Sequence, residues 1–117
     1  MKAVEPVLWR PHANPMLAGN LAPIDTEYDL EDLPAQGRVP PDLNGVFLRI
    51  GPNPEFAPFE PYHFFEGNGM LHAFYINQQK VSYKNRWVRI PRFNTEHRAQ
   101  KPFFGVFGSA AQTDWLA

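Results

Sequence analysis

Thirteen prolines are scattered through a chain of 117 residues, about twice ordinary usage. Proline donates no hydrogen bond to a ladder and clashes with the preceding helical turn. This density therefore argues against long helices and for short strands joined by fixed turns. Pro6, Pro11, Pro15 and Pro23 break up residues 1–24, where Gly19 and Asn20 add further turn residues. Neither a period of 2 nor one of 3.6 survives there, so residues 1–24 read as an irregular arm that either wraps the domain or is loose, with Trp9, Met16 and Leu17 as candidate anchors. Residues 25–117 are expected to hold the folded part.

Strand signals follow. Acidic and apolar residues alternate from Asp25 to Glu31, as on a strand with one solvated face. Residues 46–50, Val46-Phe47-Leu48-Arg49-Ile50, form a β-branched and aromatic run that Gly51-Pro52-Asn53-Pro54 stops. Residues 55–69 read as a loop. Residues 70–76 read as a strand, with Leu71, Ala73 and Tyr75 on one side and Met70, His72, Phe74 and Ile76 on the other. Residues 77–79 turn the chain into a return strand over 80–90, which makes an antiparallel hairpin. Its alternation changes phase near Trp87, which a β-bulge or a strong twist there would allow. No helix of ten or more residues is expected. Three or four strands with no repeat that closes on itself imply an all-β class whose sheet is incomplete.

Composition narrows the chemistry. The absence of cysteine excludes a disulfide scaffold, a thiolate zinc site, an iron–sulfur cluster and a cysteine nucleophile. A reducing cytoplasm is the default location. No run of 18 apolar residues occurs, so no transmembrane helix is expected, and no signal-peptide core is visible. Residues 1–66 carry ten acids and four bases, residues 67–117 seven bases and two acids. Such a split invites an anionic partner, and Lys84, Arg86, Arg89, Arg92, Arg98 and Lys101 lie among aromatics as a nucleic-acid surface would require. The sequence pI of about 6.4 and the strand-like spacing favour instead a solvated face and halves that pair with each other, so no nucleic-acid partner is expected.

No catalytic set emerges from residue patterns. His12, His63, His72 and His97 show no helical metal-ligand spacing. His72 reads as a hydrogen-bonded strand residue and His63 as a loop packing residue. Gly67-Asn68-Gly69 lacks the Lys-Ser/Thr and helix of a phosphate loop, and reads as a turn that needs positive φ. Arg49, among apolar residues, is expected to form a structural ion pair.

Three segments, in order, resemble the carotenoid oxygenase family. The first runs from Leu30-Glu31-Asp32-Leu33-Pro34 through Pro40-Pro41-Asp42-Leu43-Asn44-Gly45 to Arg49-Ile50-Gly51-Pro52-Asn53-Pro54. The second, Phe65-Glu66-Gly67-Asn68-Gly69-Met70-Leu71-His72-Ala73, is similar to the family's Phe-Asp-Gly-x-Gly-Met-(Ile/Leu)-His-Ala element, with Glu66 where the family often has Asp. The third is Arg86-Trp87-Val88-Arg89. The resemblance covers roughly residues 14–108.

The resemblance implies a seven-bladed β-propeller, of which residues 25–117 would be the first blade or blades. It implies Fe(II) held by four histidines on the propeller axis, dioxygen as co-substrate, and oxidative cleavage of a conjugated double bond in a carotenoid, apocarotenoid or stilbene. The four ligand histidines lie downstream of these motifs in the family. His63 and His72 match positions that are not ligands, and His12 and His97 match none, so no catalytic or metal residue is expected here and the chain alone is expected to be inactive. Arg49, Gly51, Pro52, Asn53, Pro54, Gly67, Gly69 and His72 are the structural motif positions. Phe103, Phe104 and Phe107, with small residues around them, are candidates for the wall of an apolar substrate tunnel. The implied partners are an apolar polyene or stilbene-like substrate and peripheral contact with a membrane. The alternative is a non-catalytic β module that binds an apolar ligand or a protein partner through its aromatics.

Overall fold

The strongest two-residue alternation builds the centre of the sheet. Residues 69–87 fold back on themselves at Gln78-Gln79, and the two arms pair antiparallel from Asn77↔Lys80 to Met70↔Trp87 without interruption. The computed structural model describes residues 14–58 and 62–104. Its strands are β1 (Asp29–Leu30), β2 (Gly45–Pro52), β3 (Gly69–Asn77) and β4 (Lys80–Trp87), in the sheet order β1-β4-β3-β2. One helix follows, α1 (Pro91–Ala99). The chain divides into a sheet unit, residues 26–51 and 69–88, and a loop–helix unit made of the remaining segments.

In the sheet unit, both turn residues, Gln78 and Gln79, have positive φ, the geometry that matches the right-handed twist of paired strands. The Asn44 side chain accepts from Gln78 N–H at 3.1 Å, and Gln79 Nε2 donates to Val39 O at 2.9 Å. The expected bulge near Trp87 is absent. The change of parity marks the end of β4, because Val88 N–H makes one last bond to Gly69 O at 2.7 Å before the chain leaves the sheet. The acidic segment contributes only Asp29–Leu30 as strand, paired with Lys84 and Tyr83.

Asn85 explains how so short a strand is held. It is 1% exposed, its Nδ2 donates to Thr26 O at 2.9 Å, and its Oδ1 accepts from Tyr28 N–H. Arg86 adds bonds to Tyr28 O at 3.0 Å and to Asp29 at 2.6 Å, and Lys84 lies 3.6 Å from Asp29. Two acids of the first half, Glu27 and Asp29, thus pair with two bases of the second, Lys84 and Arg86. Arg86 beside Asp29 holds that carboxyl below its ordinary range.

In the loop–helix unit, the described part of the arm forms two 3₁₀ turns, Pro15–Leu17 and Gly19–Leu21. Leu17 is buried with Tyr62, and Met16 packs on the pair; Trp9 lies outside the described residues. α1 was not legible as a helix. Its first residue is Pro91, whose missing N–H is one that an N-terminal turn leaves unused anyway. Gln100, in the left-handed region, ends it, and Lys101 N–H reaches back to Glu96 O. The buried face of α1 is Phe93 and Glu96.

Candidate functional site

The motif Gly51-Pro52-Asn53-Pro54 leads out of β2 into the loop–helix unit, where Asn53 becomes a clasp. Its Oδ1 accepts from Ile24 N–H at 2.7 Å, and its Nδ2 donates to Ile24 O at 2.8 Å. The side-chain amide thus pairs with one peptide unit as a neighbouring strand would. Asn53 N–H donates to Asn68 O at 2.7 Å, and the Asn68 side chain accepts from Glu55 N–H at 3.1 Å. Asn53 and Pro54 are both buried. No shorter or apolar side chain satisfies both groups of Ile24 at once.

Gly67 sits against this clasp. A Cβ there would lie 2.7 Å from the Tyr62 hydroxyl and 2.8 Å from Pro52 Cβ. Its φ of −65° is one that any residue adopts, so the requirement for glycine is close approach, not the positive φ expected from the sequence. Gly69 corrects the same expectation more fully. Its φ is not positive, and its added Cβ would meet Val88 and Ile50 at ordinary contact distance. Burial pushes the Tyr62 hydroxyl up to about 12, so it stays protonated beside Gly67.

A cleft of about 690 Å³ lies next to Gly67, lined by His63, Phe65, Glu66, Gly67, Ile90 and Arg92. His63 caps the turn Phe64–Glu66: its Nδ1 accepts from Phe65 N–H at 3.1 Å, and its ring stacks on Phe64 at 4.3 Å. That volume lies within the range of small-molecule clefts. His72, in the sheet unit, shares a 2.6 Å hydrogen bond with the Tyr83 hydroxyl, as a structural strand histidine should. Burial, with Arg49 nearby, lowers its pKa. Arg49 itself is exposed and forms no ion pair among the described residues, so the expected structural pair is not found.

A pairing that sequence reasoning missed joins Glu55 to His97, whose ring stacks on Phe93 at 5.3 Å. The two residues are 42 positions apart, and no local pattern links them. Glu55 Oε2 is buried without a hydrogen-bond partner among the described residues, and burial raises the carboxyl's pKa. Glu96 is better satisfied: Arg92 Nε donates to it at 2.9 Å and Phe103 N–H at 3.3 Å. Phe103 is buried with the Lys101 ammonium 4.8 Å from its ring centre, Phe104 is half-buried, and Phe107 lies outside the described residues.

Among the described residues, no three His, Asp or Glu side chains converge as a metal would require. Fe(II) therefore has no fitting donor set there. No described helix is long and apolar enough to cross a membrane.

A family model described as retinal pigment epithelial membrane protein matches residues 21–116, a span that includes the Asn53 clasp, Gly67 and β1 to β4. The chain belongs to the carotenoid oxygenase family. It is 47% identical over 81 residues to carotenoid 9,10(9',10')-cleavage dioxygenase 1 of Pisum sativum, covering 68% of this chain and 15% of that protein. It is 38% identical over 94 residues to isoeugenol monooxygenase of Pseudomonas nitroreducens, covering 80% and 20%. The crystal structure of Pseudomonas brassicacearum lignostilbene dioxygenase superposes with a TM-score of 0.81 at 30% identity, covering 90% of this chain and 22% of that one. The chain thus spans between 15% and 22% of the length of these relatives. The solved carotenoid oxygenases are seven-bladed β-propellers, and this chain supplies an antiparallel sheet of that fold with one helix beside it in sequence.

Proposed function

We propose that this carotenoid oxygenase chain is the N-terminal scaffold of an enzyme that cleaves a conjugated carbon–carbon double bond in an apolar polyene or stilbene-like substrate. The observation that supports this reading is the likeness to lignostilbene dioxygenase over nine-tenths of the chain, with Asn53 of the motif clasping Ile24. In such a cleavage the C=C and O–O bonds both break, and each former alkene carbon takes one oxygen atom as a carbonyl. Dioxygen is the only oxidant required, and no external reductant enters. Activation of dioxygen is the chemistry that iron would supply in such an enzyme, and the described residues of this chain offer no donor set to hold it. This chain's part is to hold the loop around Asn53 and Gly67 and to present the sheet. In this reading at least one of the tail aromatics walls the substrate tunnel, with half-buried Phe104 the described candidate, since Phe103 is already buried within its own unit.

The test replaces the matched segment of the Pseudomonas brassicacearum enzyme with this chain and supplies a stilbene under ¹⁸O₂. The expected result is cleavage with one labelled oxygen in each aldehyde, and no turnover by this chain alone. Label in only one product would fit the monooxygenase named for the Pseudomonas nitroreducens relative. Turnover by the 117-residue chain alone, with iron lost on His63→Ala or His72→Ala, would overturn the scaffold reading.

A further inference from the structure

α1 carries a side chain of the wrong sign at its end. Glu96 stands in the last turn, where the helix dipole favours a cation, as the basic His97 and Arg98 beside it illustrate. Glu96 is also only 5% exposed, and a buried carboxylate is costly unless charge and hydrogen bonds compensate it. Departures of this kind from local rules are expected where a residue serves something beyond its own helix.

The donors around Glu96 show what it serves. Arg92 Nε donates to Oε1 at 2.9 Å from one turn earlier, and Phe103 N–H donates to Oε2 at 3.3 Å. The Glu96 carbonyl accepts from Gln100 N–H and from Lys101 N–H. Gln100, Lys101 and Phe103 all lie past the last helical residue, Ala99. The chain therefore leaves α1 along one fixed path, and Phe104 is the next residue on it. Glutamine would offer one acceptor oxygen and an NH₂, which is a donor and meets Arg92 or Phe103 N–H with the wrong polarity.

We propose that Glu96 is a positioning residue for the substrate wall: its carboxylate fixes the path of residues 100–104 and so the placing of Phe104 against the substrate. This rests on the scaffold reading above, in which half-buried Phe104 is the described candidate for that wall. Placing an aromatic wall governs how an apolar substrate binds and lies, not the reacting atoms, so the effect falls on affinity.

The experiment grafts this chain onto Pseudomonas brassicacearum lignostilbene dioxygenase in place of the matched segment. Resveratrol binding is read by fluorescence without dioxygen, and cleavage is read separately with it. Glu96→Gln should weaken binding and raise KM by more than about fivefold, with kcat within about twofold of the parent. Amide exchange at Phe103 and Phe104 should quicken while that at Phe93 stays as it was. Phe104→Ala should weaken binding likewise, and adding Glu96→Gln to it should cost nothing further, because one acts through the other. Arg92→Gln, which leaves the acceptor for Phe103 N–H in place, should give a smaller loss, and it carries the test if Glu96→Gln does not fold. Arg98→Gln, an exposed charge in the same turn, should change nothing. Weakened binding in a graft that never cleaves supports the positioning role while counting against the enzymatic reading. A lower melting temperature with affinity and KM unchanged, full additivity with Phe104→Ala, an equal loss from Arg98→Gln, or a parent graft that does not bind resveratrol would each overturn the inference.

Discussion

The loop–helix unit buries its large side chains, whereas the sheet unit leaves its strand β2 without a buried residue. Phe93, Leu17, Tyr62 and Phe103 are all buried within the first. In the second, Met70 and Trp87 are buried, but β2 has no buried residue at all. The difference teaches that regular pairing and completeness are separate properties. Hydrogen-bonded ladders can be satisfied within four strands while the faces they carry still await apolar partners.

The sharpest way to break this comparison is to truncate one aromatic in each unit. Phe93→Ala should destabilise the loop–helix unit by about 3–5 kcal/mol, whereas Phe47→Ala should change the sheet unit by no more than about 0.5 kcal/mol. Urea titration followed by hydrogen exchange of each unit's amides checks both. Equal losses would mean that β2 is already packed. Next in size, Asn85→Ala should cost the sheet unit about 2–3 kcal/mol, because Tyr28 N–H and Thr26 O lose their buried partner. Exchange at residues 26–30 should rise with it.

Smaller still is the contrast between the two motif glycines. Gly67→Ala should cost about 1–3 kcal/mol through collision with Tyr62 and Pro52, while Gly69→Ala, at ordinary contact distance, should be tolerated within about 0.5 kcal/mol. Thermal denaturation of the two variants decides it. A larger effect at Gly69 would mean that the β3 start is more crowded than the structure has it.

The smallest effect is one of sign with pH. His72 has a lowered pKa in the folded sheet, so its contribution is present above the unfolded histidine value and is lost as pH falls through the folded value. Glu55 has a raised pKa, so its contribution is present below the unfolded carboxyl value and is lost as pH rises through the folded one. Acidification from neutral pH should therefore loosen amides 69–88 and tighten those around 52–58. His72→Gln should remove the first trend and Glu55→Gln the second. Trends of the same sign in both units would contradict these assignments.

What was legible in the sequence divides along the same line. β3, β4 and the turn at Gln78-Gln79 announced themselves by period 2, because one side chain in two must face the same way, and β2 by a β-branched and aromatic run that Gly51-Pro52 stops. α1 did not, because Pro91 reads as a breaker until its place in the first turn is known, and nine residues are too few for periodicity to outvote it. The motif glycines were found for the wrong reason: Gly67 is excluded from carrying a Cβ by Tyr62 and Pro52, and only folding brings them near. Asn53 could be named as a motif residue, but its clasp on Ile24 spans 29 positions, and Glu55 with His97 spans 42. Side-chain hydrogen bonds at such separations leave no local periodicity to read.

The central claim is that the sheet, and β2 in it, is what the rest of the oxygenase fold completes. Hydrogen–deuterium exchange mass spectrometry of the chain alone, and of the chain with Pseudomonas brassicacearum lignostilbene dioxygenase lacking its matched N-terminal segment, tests it at once. The account predicts that peptides covering residues 45–52 and 69–77 slow the most on association, while residues 91–99 change little. Slowing confined to residues 91–99, with residues 45–52 exchanging as fast as in the chain alone, would contradict it.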